Sequence, residues 1–409
     1  MKRIHLKRIH SILTLATASI MLTACCDKTT YEMGSYGYDA AFFKQHKISF
    51  LELSSSDGLS KIMIIPAYQG RVMTSTADGD AGNSFGWINY KLIESGEINP
   101  QFNPVGGEER FWLGPEGGPF SLYFKNGQEQ VYENWRVPAV IDTETYNIAE
   151  QTSSSVKFTK ETTLINAADS ELKIGIERTI SLLDRKTAAE LLGTEIPSTL
   201  KMIAYGTENI ITNQGENTWT KQTGLPSIWL LGMFNPTPTT TVFIPYDTSG
   251  TGRIVNDEYF GKVPSDRLKV EDGMLYFKID GTYRSKIGLP AGRAKDICGS
   301  YDSDKKVLTL VKYTVPRGRV SYVNGQWGPQ EDPFAGDVIN AYNDGPTDDG
   351  TVMGPFYEIE TSSPGAELAS GESASHTQYV MHIQGEETQI ARIVQDLFGV
   401  ELQKIADCF

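Results

Sequence analysis

Residues 172–177 read Leu-Lys-Ile-Gly-Ile-Glu, with an apolar side chain at every second position and polar or small residues between them. Successive side chains of a β-strand point to opposite faces, so a period of two is typical of a strand with one buried and one solvated face. The stretch therefore predicts a strand of an antiparallel sheet, because such sheets commonly keep one face in water.

Similar strand-like runs recur along the chain, with turn residues between them. They are residues 48–53, 61–66, 70–75, 121–124, 155–159, 172–180, 240–244, 274–279, 307–313, 357–361 and 378–383. Glycine and proline are scattered without a linker after residue 40, and no repeat of fixed period is visible. We therefore predict an all-β fold, with residues 41–409 forming one large antiparallel domain of packed sheets.

The pattern indicates only a few short helices. Asp184 is suited to cap a helix over residues 185–192, because its side chain can accept a hydrogen bond from the first turn. Near the C-terminus the apolar residues Ile390, Ile393, Val394 and Leu397 fall at helical spacing.

The N-terminus has the pattern of a bacterial lipoprotein signal peptide over residues 1–24. A basic start precedes a short apolar run, and residues 22–25, Leu-Thr-Ala-Cys, resemble a lipobox. Cys25 would be the lipidated residue, and residues 25–40 would form a tether. We expect a protein anchored by lipid to a membrane of the bacterial cell envelope, on the periplasmic side or at the cell surface; an ordinary signal peptide is the alternative.

The chain is acidic, with 37 basic and 51 acidic residues and a formal net charge of −14. This balance argues against nucleic acid as a partner. No phosphate loop or dinucleotide fingerprint is present, so no nucleotide is expected either. Beyond the anchor region, Cys298 and Cys408 could form one disulfide, but the sequence does not show that they meet.

The glycine-rich stretch 106–118 reads Gly-Gly-Glu-Glu-Arg-Phe-Trp-Leu-Gly-Pro-Glu-Gly-Gly. Glycines let the backbone turn sharply, so we expect a loop. Arg110 and Glu116 can hydrogen-bond a polyhydroxylated ligand, and the ring of Trp112 can stack on a sugar. The alternative is structural, with the aromatic residues in the core and Glu109 paired with Arg110.

Two stretches resemble the galactose mutarotase (aldose 1-epimerase) superfamily. Residues 66–73, Pro-Ala-Tyr-Gln-Gly-Arg-Val-Met, are similar to its early strand-turn-strand. Residues 357–366, Tyr-Glu-Ile-Glu-Thr-Ser-Ser-Pro-Gly-Ala, are similar to its late strand with a Glu and a Pro-containing turn. The resemblance covers most of residues 45–385. It implies a galactose mutarotase-like β-supersandwich, in an uncharacterised secreted branch.

In that family a Glu takes the proton from the anomeric hydroxyl and a His gives one to the ring oxygen. The resemblance implies Glu360 or Glu358 as the base, and the spacing to Pro364 leaves both open. The corresponding mid-chain stretch contains Asn213, a candidate ligand-binding residue, but no His. We therefore expect a mutarotase-like cleft that binds carbohydrate without mutarotase activity.

Two alternatives stay open. A sugar-transforming enzyme, epimerase-like or acting on an acidic sugar, would use a strand Glu as base, with Arg110 or Arg71 holding a carboxylate. A structural lipoprotein would hold no ligand. His376 is a further candidate for ligand binding, although a hydrogen-bonded structural histidine is the commoner case. We expect Arg110, Trp112 and Glu116 to meet Glu358 or Glu360 in a pocket open to solvent.

Residues 327–349 are rich in oxygen ligands of the kind that Ca²⁺ uses, but they lack the spacing of a calcium loop. A solvated acidic loop is favoured, and no other metal or cofactor is indicated. Two residues of this segment are further candidates for ligand binding. Trp327 has polar and glycine-rich neighbours, and Asp344 belongs to the block Tyr342–Pro346, which is part of the family resemblance.

Overall fold

The computed structural model describes residues 30–316, 318, 320–347 and 349–409. Residues Tyr31–Phe409 form one compact unit. The predicted signal peptide and the lipidation site Cys25 lie outside the described residues. No helix among the described residues has the length and apolar character needed to cross a membrane.

The strands, in chain order, are β1 (Leu51–Ser54), β2 (Lys61–Ile65), β3 (Arg71–Thr76), β4 (Arg110–Gly114), β5 (Asn147–Gln151), β6 (Ser155–Ile165), β7 (Glu171–Leu183), β8 (Lys201–Asn213), β9 (Ser227–Phe234), β10 (Thr240–Pro245), β11 (Leu268–Glu271), β12 (Met274–Lys278), β13 (Ser285–Pro290), β14 (Ile297–Asp302), β15 (Val307–Tyr313), β16 (Asp337–Asn343), β17 (Tyr357–Ser362) and β18 (Ser373–Gln384). The helices are α1 (Tyr36–Gln45), α2 (Tyr90–Ser95), α3 (Ala139–Asp142), α4 (Arg185–Leu192), α5 (Glu387–Phe398) and α6 (Leu402–Ala406).

The strands form three sheets. A 3-stranded sheet has the order β1-β2-β3, and a 5-stranded sheet has the order β13-β16-β17-β9-β4. The 10-stranded sheet has the order β11-β12-β10-β14-β15-β18-β8-β7-β6-β5. Every pair of neighbouring strands is antiparallel. The predicted all-β class, with large antiparallel sheets and few short helices, is confirmed.

The main hydrophobic core contains side chains of both large sheets. The 5-stranded sheet contributes Phe111, Leu230, Ile287 and Ile359, and the 10-stranded sheet contributes Phe158, Ile176, Ile211 and Val311. A second cluster joins the 10-stranded sheet to α4, α5 and α6 through residues that include Leu192, Ile393 and Ile405. The 10-stranded sheet is therefore covered on both faces. The residues of β17 that alternate with Ile359 are turned away from the core.

Helix α4 begins after Asp184, whose side chain accepts a hydrogen bond from the Thr187 amide at 2.8 Å. This agrees with the predicted cap. Helix α5 buries Ile390, Ile393 and Val394, as their helical spacing indicated. Two other local predictions differ from the structure. Arg110–Gly114 is an edge strand rather than part of a loop, and residues 121–124 form no strand, although Leu122, Tyr123 and Phe124 are buried.

Residues 36–40, assigned to a tether from the sequence, lie in helix α1, and Tyr36 is fully buried. These five residues belong to the folded unit because the helix contributes to a small core that also contains Met63 and Met73. Cys298 and Cys408 are buried and free, in two different hydrophobic clusters. The structure therefore does not contain the disulfide that the sequence allowed.

Candidate functional site

The outer face of the 5-stranded sheet carries four charged side chains, Arg110, Lys286, Glu358 and Glu360, which we call the charged cluster. On β17, Glu358 and Glu360 share this face because side chains two residues apart point the same way. The strand register places Glu360 opposite Leu231 of β9, which in turn lies opposite Arg110 of β4. Neighbouring antiparallel strands thus bring together residues that are far apart in the sequence.

Two ion pairs hold the charged cluster together. Arg110 pairs with Glu358, and Lys286 Nζ lies 2.8 Å from Glu360 Oε2. The indole of Trp229 also donates a hydrogen bond to Glu360 Oε2, at 3.0 Å. The Glu360 side chain is 1% exposed, and the Lys286 side chain is 13% exposed. The carboxylate of Glu360 is therefore held from one side, through Oε2.

Several polar atoms here have no hydrogen-bond partner within the described part of the chain, although they are fully buried. They are Glu360 Oε1, the Nε and Nη1 atoms of Arg110, and Trp112 Nε1. Buried polar groups are nearly always paired with protein, water or ligand, since leaving one unpaired costs about 1–3 kcal/mol. The set contains both donors and an acceptor, which matches the hydrogen-bonding capacity of hydroxyl groups.

Burial changes the proton affinity of three groups at this face. It raises the pKa of Glu358 to about 7; Arg110 opposes this and Glu360 adds to it. Burial likewise raises the pKa of Glu116 to about 7, against the effect of Lys286. For Lys286 burial lowers the pKa, but Glu360 and Glu116 outweigh it, so its pKa lies above the ordinary value. The surroundings thus favour the charged form of Lys286 and, compared with exposed glutamates, the neutral forms of Glu116 and Glu358.

Aromatic rings surround Arg110. Its guanidinium lies 4.9 Å from the centre of the Trp112 ring and 5.9 Å from that of Phe102. Trp112 packs edge-on against Trp229 and Phe102, at 5.6 and 5.4 Å. Arg110 is 2% and Trp112 4% exposed. The structure therefore brings the predicted residues together but not in an open pocket, because Phe102 packs over this end of the sheet.

The cluster continues toward both ends of the face. Glu116 follows β4, is half-buried, and lies near enough to Lys286 and Glu360 for their charges to affect its pKa. At the other end, Tyr342 of β16 donates a hydrogen bond to Asp344 Oδ1 at 2.6 Å, and the Gly354 amide donates to Asp344 Oδ2 at 2.9 Å. Asp344 is therefore beside the charged cluster, in a fixed position.

Three residues predicted to bind ligand lie elsewhere and support the fold. Arg71 is buried and donates to Gly106 O at 2.6 Å and to Gln69 Oε1 at 2.9 Å. Asn213 donates to the backbone carbonyls of Asn217 and Leu368, both at 2.9 Å.

The third is His376, which lies in the interior with Nε2 2.8 Å from Thr361 Oγ1. Burial lowers its pKa to about 3. His376 and Thr361 belong to different sheets, and each is turned inward, away from the charged cluster. This interior position argues against the predicted contact of His376 with ligand.

The two glutamates before Arg110 also face the interior. Glu109 forms a buried ion pair with Arg178, and Arg178 Nη1 also donates to Asn209 Oδ1 at 2.7 Å. Glu108 Oε1 lies 2.7 Å from His382 Nε2 and accepts a hydrogen bond from Ser75 at 2.8 Å. The sequence-based alternative that paired Glu109 with Arg110 is therefore wrong.

Sequence reasoning missed Lys286, which contacts Glu360 directly. Its signal was the alternation in Ser285–Leu289, where Ile287 and Leu289 are apolar and Lys286 falls on the opposite face. Within the described residues, no group of three or more His, Cys, Asp or Glu side chains is arranged to hold a metal ion.

The fold is that of galactose mutarotase-like proteins. A galactose mutarotase-like protein from Lactobacillus casei ATCC 334 covers 82% of this chain and 100% of its own, at 9% identity and a TM-score of 0.50. The Slr1438 protein of Synechocystis sp. PCC 6803 covers 83% of this chain and 96% of its own, at 12% identity and a TM-score of 0.50. A putative aldose 1-epimerase from Escherichia coli K12 covers 82% of this chain and 99% of its own, at 13% identity and a TM-score of 0.49.

Residues 34–409 match the model of a family of unknown function, DUF6786, and the chain belongs to that family. A comparison with curated protein sequences gives no match. The predicted resemblance to an uncharacterised branch of the mutarotase-like proteins is confirmed at the level of the fold.

Proposed function

We propose that the outer face of the 5-stranded sheet binds carbohydrate, in a protein anchored to the bacterial cell envelope through Cys25. The observation that carries the proposal is the set of unpaired buried atoms in the charged cluster. Among the residues that the structure describes, Glu360 Oε1 is an acceptor without a donor, while Arg110 Nε and Nη1 are donors without acceptors. These atoms are buried, so a sugar must displace the side chains that cover them; its hydroxyls can then donate to Glu360 Oε1 and accept from Arg110, whereas an anionic group would be repelled by Glu360.

Charge and shape support the same ligand. Arg110 and Lys286 are already paired with Glu358 and Glu360, so the charges of these glutamates oppose the further carboxylate that the acidic-sugar alternative requires. Trp229 contributes an aromatic ring beside Glu360, and its partial exposure leaves it accessible to a sugar. Small-molecule sites typically combine apolar and aromatic walls with few convergent polar groups.

The test is binding of the full-length protein, purified in detergent, to a glycan array. Glu360→Gln keeps the size of the side chain but removes the charge that orients Lys286 and Trp229, so we expect a loss of about tenfold or more in affinity. Glu150→Gln, on the exposed edge strand β5, is the matched control and leaves binding unchanged. Absence of binding to any glycan, or equal binding by both variants, would reject the proposal.

A sugar-transforming enzyme is the second candidate, favoured by Glu116 near Glu360, because burial raises the pKa of Glu116 to about 7. A carboxyl group whose pKa is raised in this way is suited to act as a general acid. The mutarotase mechanism itself needs a histidine, and His376 and His382 both face the interior. NMR exchange spectroscopy of a bound sugar separates the candidates, since only an enzyme speeds interconversion of anomers or epimers.

A further inference from the structure

Two exposed aromatic rings lie at opposite ends of the outer face of the 5-stranded sheet. Trp327 is 37% exposed and Phe260 is 45% exposed, whereas the other indole rings of the described chain are buried or half-buried. Single exposed rings are common on protein surfaces, and these two are distinguished by being held in place beside the two edges of one sheet face, where each can stack on a sugar.

Trp327 is held next to the first edge strand, β4. Its ring packs against Phe124 at 5.1 Å and Trp135 at 6.0 Å. Its backbone lies against Gly117, three residues after β4, where a Cβ would come within 2.8 Å of the Trp327 Cα. The close approach explains the glycine and fixes the indole at this edge of the sheet.

Phe260 is held next to the other edge strand, β13. Its ring lies 3.9 Å from the Arg284 guanidinium, immediately before β13, and 5.9 Å from the ring of Tyr342. The preceding residue anchors this segment, because the Tyr259 hydroxyl donates to Asp337 Oδ2 at 2.6 Å. A cation–π contact and a buried hydrogen bond therefore keep Phe260 above the sheet.

The two rings are too far apart for one sugar unit to contact both. Strands β4 and β13 are separated by four inter-strand intervals, which at the usual spacing of about 4.8 Å amount to about 19 Å. Between them lie two buried acceptors with no hydrogen-bond partner in the described part of the chain, Glu360 Oε1 on β17 and Asp337 Oδ1 on β16. Groups that need partners are thus spread over several strands rather than gathered at one point.

We propose that the ligand is an oligosaccharide that crosses the sheet from Trp327 to Phe260, with its central unit over Lys286 and Glu360. The inference rests on the proposed carbohydrate binding and specifies its substrate class. Terminal units stack on the two exposed rings, and the central unit lies over Lys286 and Trp229, the partly exposed side chains that bind Glu360. Affinity then increases with chain length until both rings are covered.

The experiment is calorimetric titration of the full-length protein with glucans, galactans, mannans and xylans, each offered from one to six sugar units. We expect the tightest-binding series to gain affinity steeply up to the length that reaches both rings. Trp327→Ala and Phe260→Ala each lower affinity for the long oligosaccharide about tenfold, but leave the short members of the series unaffected.

Tyr283→Ala is the matched control, because Tyr283 is 43% exposed and its ring contacts Arg267. We expect this variant to bind every length as the unmodified protein does. If one sugar unit binds as tightly as six, or if the Trp327 and Phe260 variants bind normally, the oligosaccharide inference fails while carbohydrate binding stands. If no saccharide of any length binds, both proposals fail.

Discussion

Glu108, Glu109 and Arg110 are consecutive residues, yet each has a different partner. Glu108 contacts His382, Glu109 contacts Arg178, and Arg110 crosses to the other face of the sheet to pair with Glu358. Charged groups this deeply buried are stable only when paired, since desolvation penalises an isolated charge by several kcal/mol. The stretch therefore links the interior of the protein to the candidate site.

Removing one partner of the Glu109–Arg178 pair leaves a buried uncompensated charge. Both side chains are 0% exposed, so Glu109→Ala should lower the free energy of unfolding by about 3–5 kcal/mol. The measurement is denaturant-induced unfolding. Glu190→Ala, which breaks an exposed pair with Lys186 on α4, is the control and should have a much smaller effect. Equal effects of the two variants would contradict the structural role of Glu109.

His376 should make the protein sensitive to acid. Its folded pKa of about 3 lies below the ordinary value of about 6.5, so between these values only the unfolded chain binds the proton. This contribution to stability is present above pH 6.5 and is lost as pH falls toward 3. His376→Gln should flatten the dependence of the unfolding free energy on pH in that window. An unchanged slope would show that His376 protonates in the folded state.

At the scale of elements, helix α1 is joined to helix α2 and to the loop before it by one buried carboxylate. Asp39 accepts hydrogen bonds from Ser84 and Tyr90, and is itself fully buried.

Strand β17 also depends on its surroundings. Glu358 and Glu360 alternate with Tyr357, Ile359 and Thr361, so one face of the strand lies in the core and the other in the candidate site. Each element thus acquires its role from the neighbour against which it packs.

The attachment of α1 should weaken as pH rises. Burial raises the pKa of Asp39 to about 6, although Ser84 and Tyr90 oppose this, and the unfolded value is about 3.9. The neutral form is favoured by folding, so its stabilising effect is complete below about pH 4 and lost as pH passes about 6. Asp39→Asn should remove this loss, as measured by unfolding between pH 4 and 7. A variant with the same pH dependence as the unmodified protein would contradict this assignment.

At the scale of the whole molecule, helix α1 starts at Tyr36, eleven residues after the predicted lipidation site Cys25. A lipidated chain would therefore carry the domain within at most about 40 Å of the membrane surface. The acidic composition, with a formal net charge of −14, would keep the domain from binding anionic lipid directly.

The predicted anchor is tested by Cys25→Ala. The unmodified protein should be recovered in the membrane fraction with the mass of the lipidated mature chain, because acyl chains partition into the bilayer. The variant should lack that added mass and leave the membrane fraction. Fractionation followed by intact-mass analysis measures both, and an unchanged mass and distribution would reject the lipoprotein assignment.

The sequence by itself determined the fold class, because alternation such as that of residues 172–177 is a local property of the chain and can be recognised without knowing which strands pair. It also placed Glu358 and Glu360 on one face, since that follows from the period of a strand. What only the tertiary structure decided was which partners those side chains meet. Strand order and register bring Arg110 to Glu358 and Lys286 to Glu360. These residues are far apart in the sequence, so no local pattern predicts that they meet. Burial at the Arg110 end of the cluster likewise depends on Phe102, a residue of the loop before β4 whose packing no periodicity predicts.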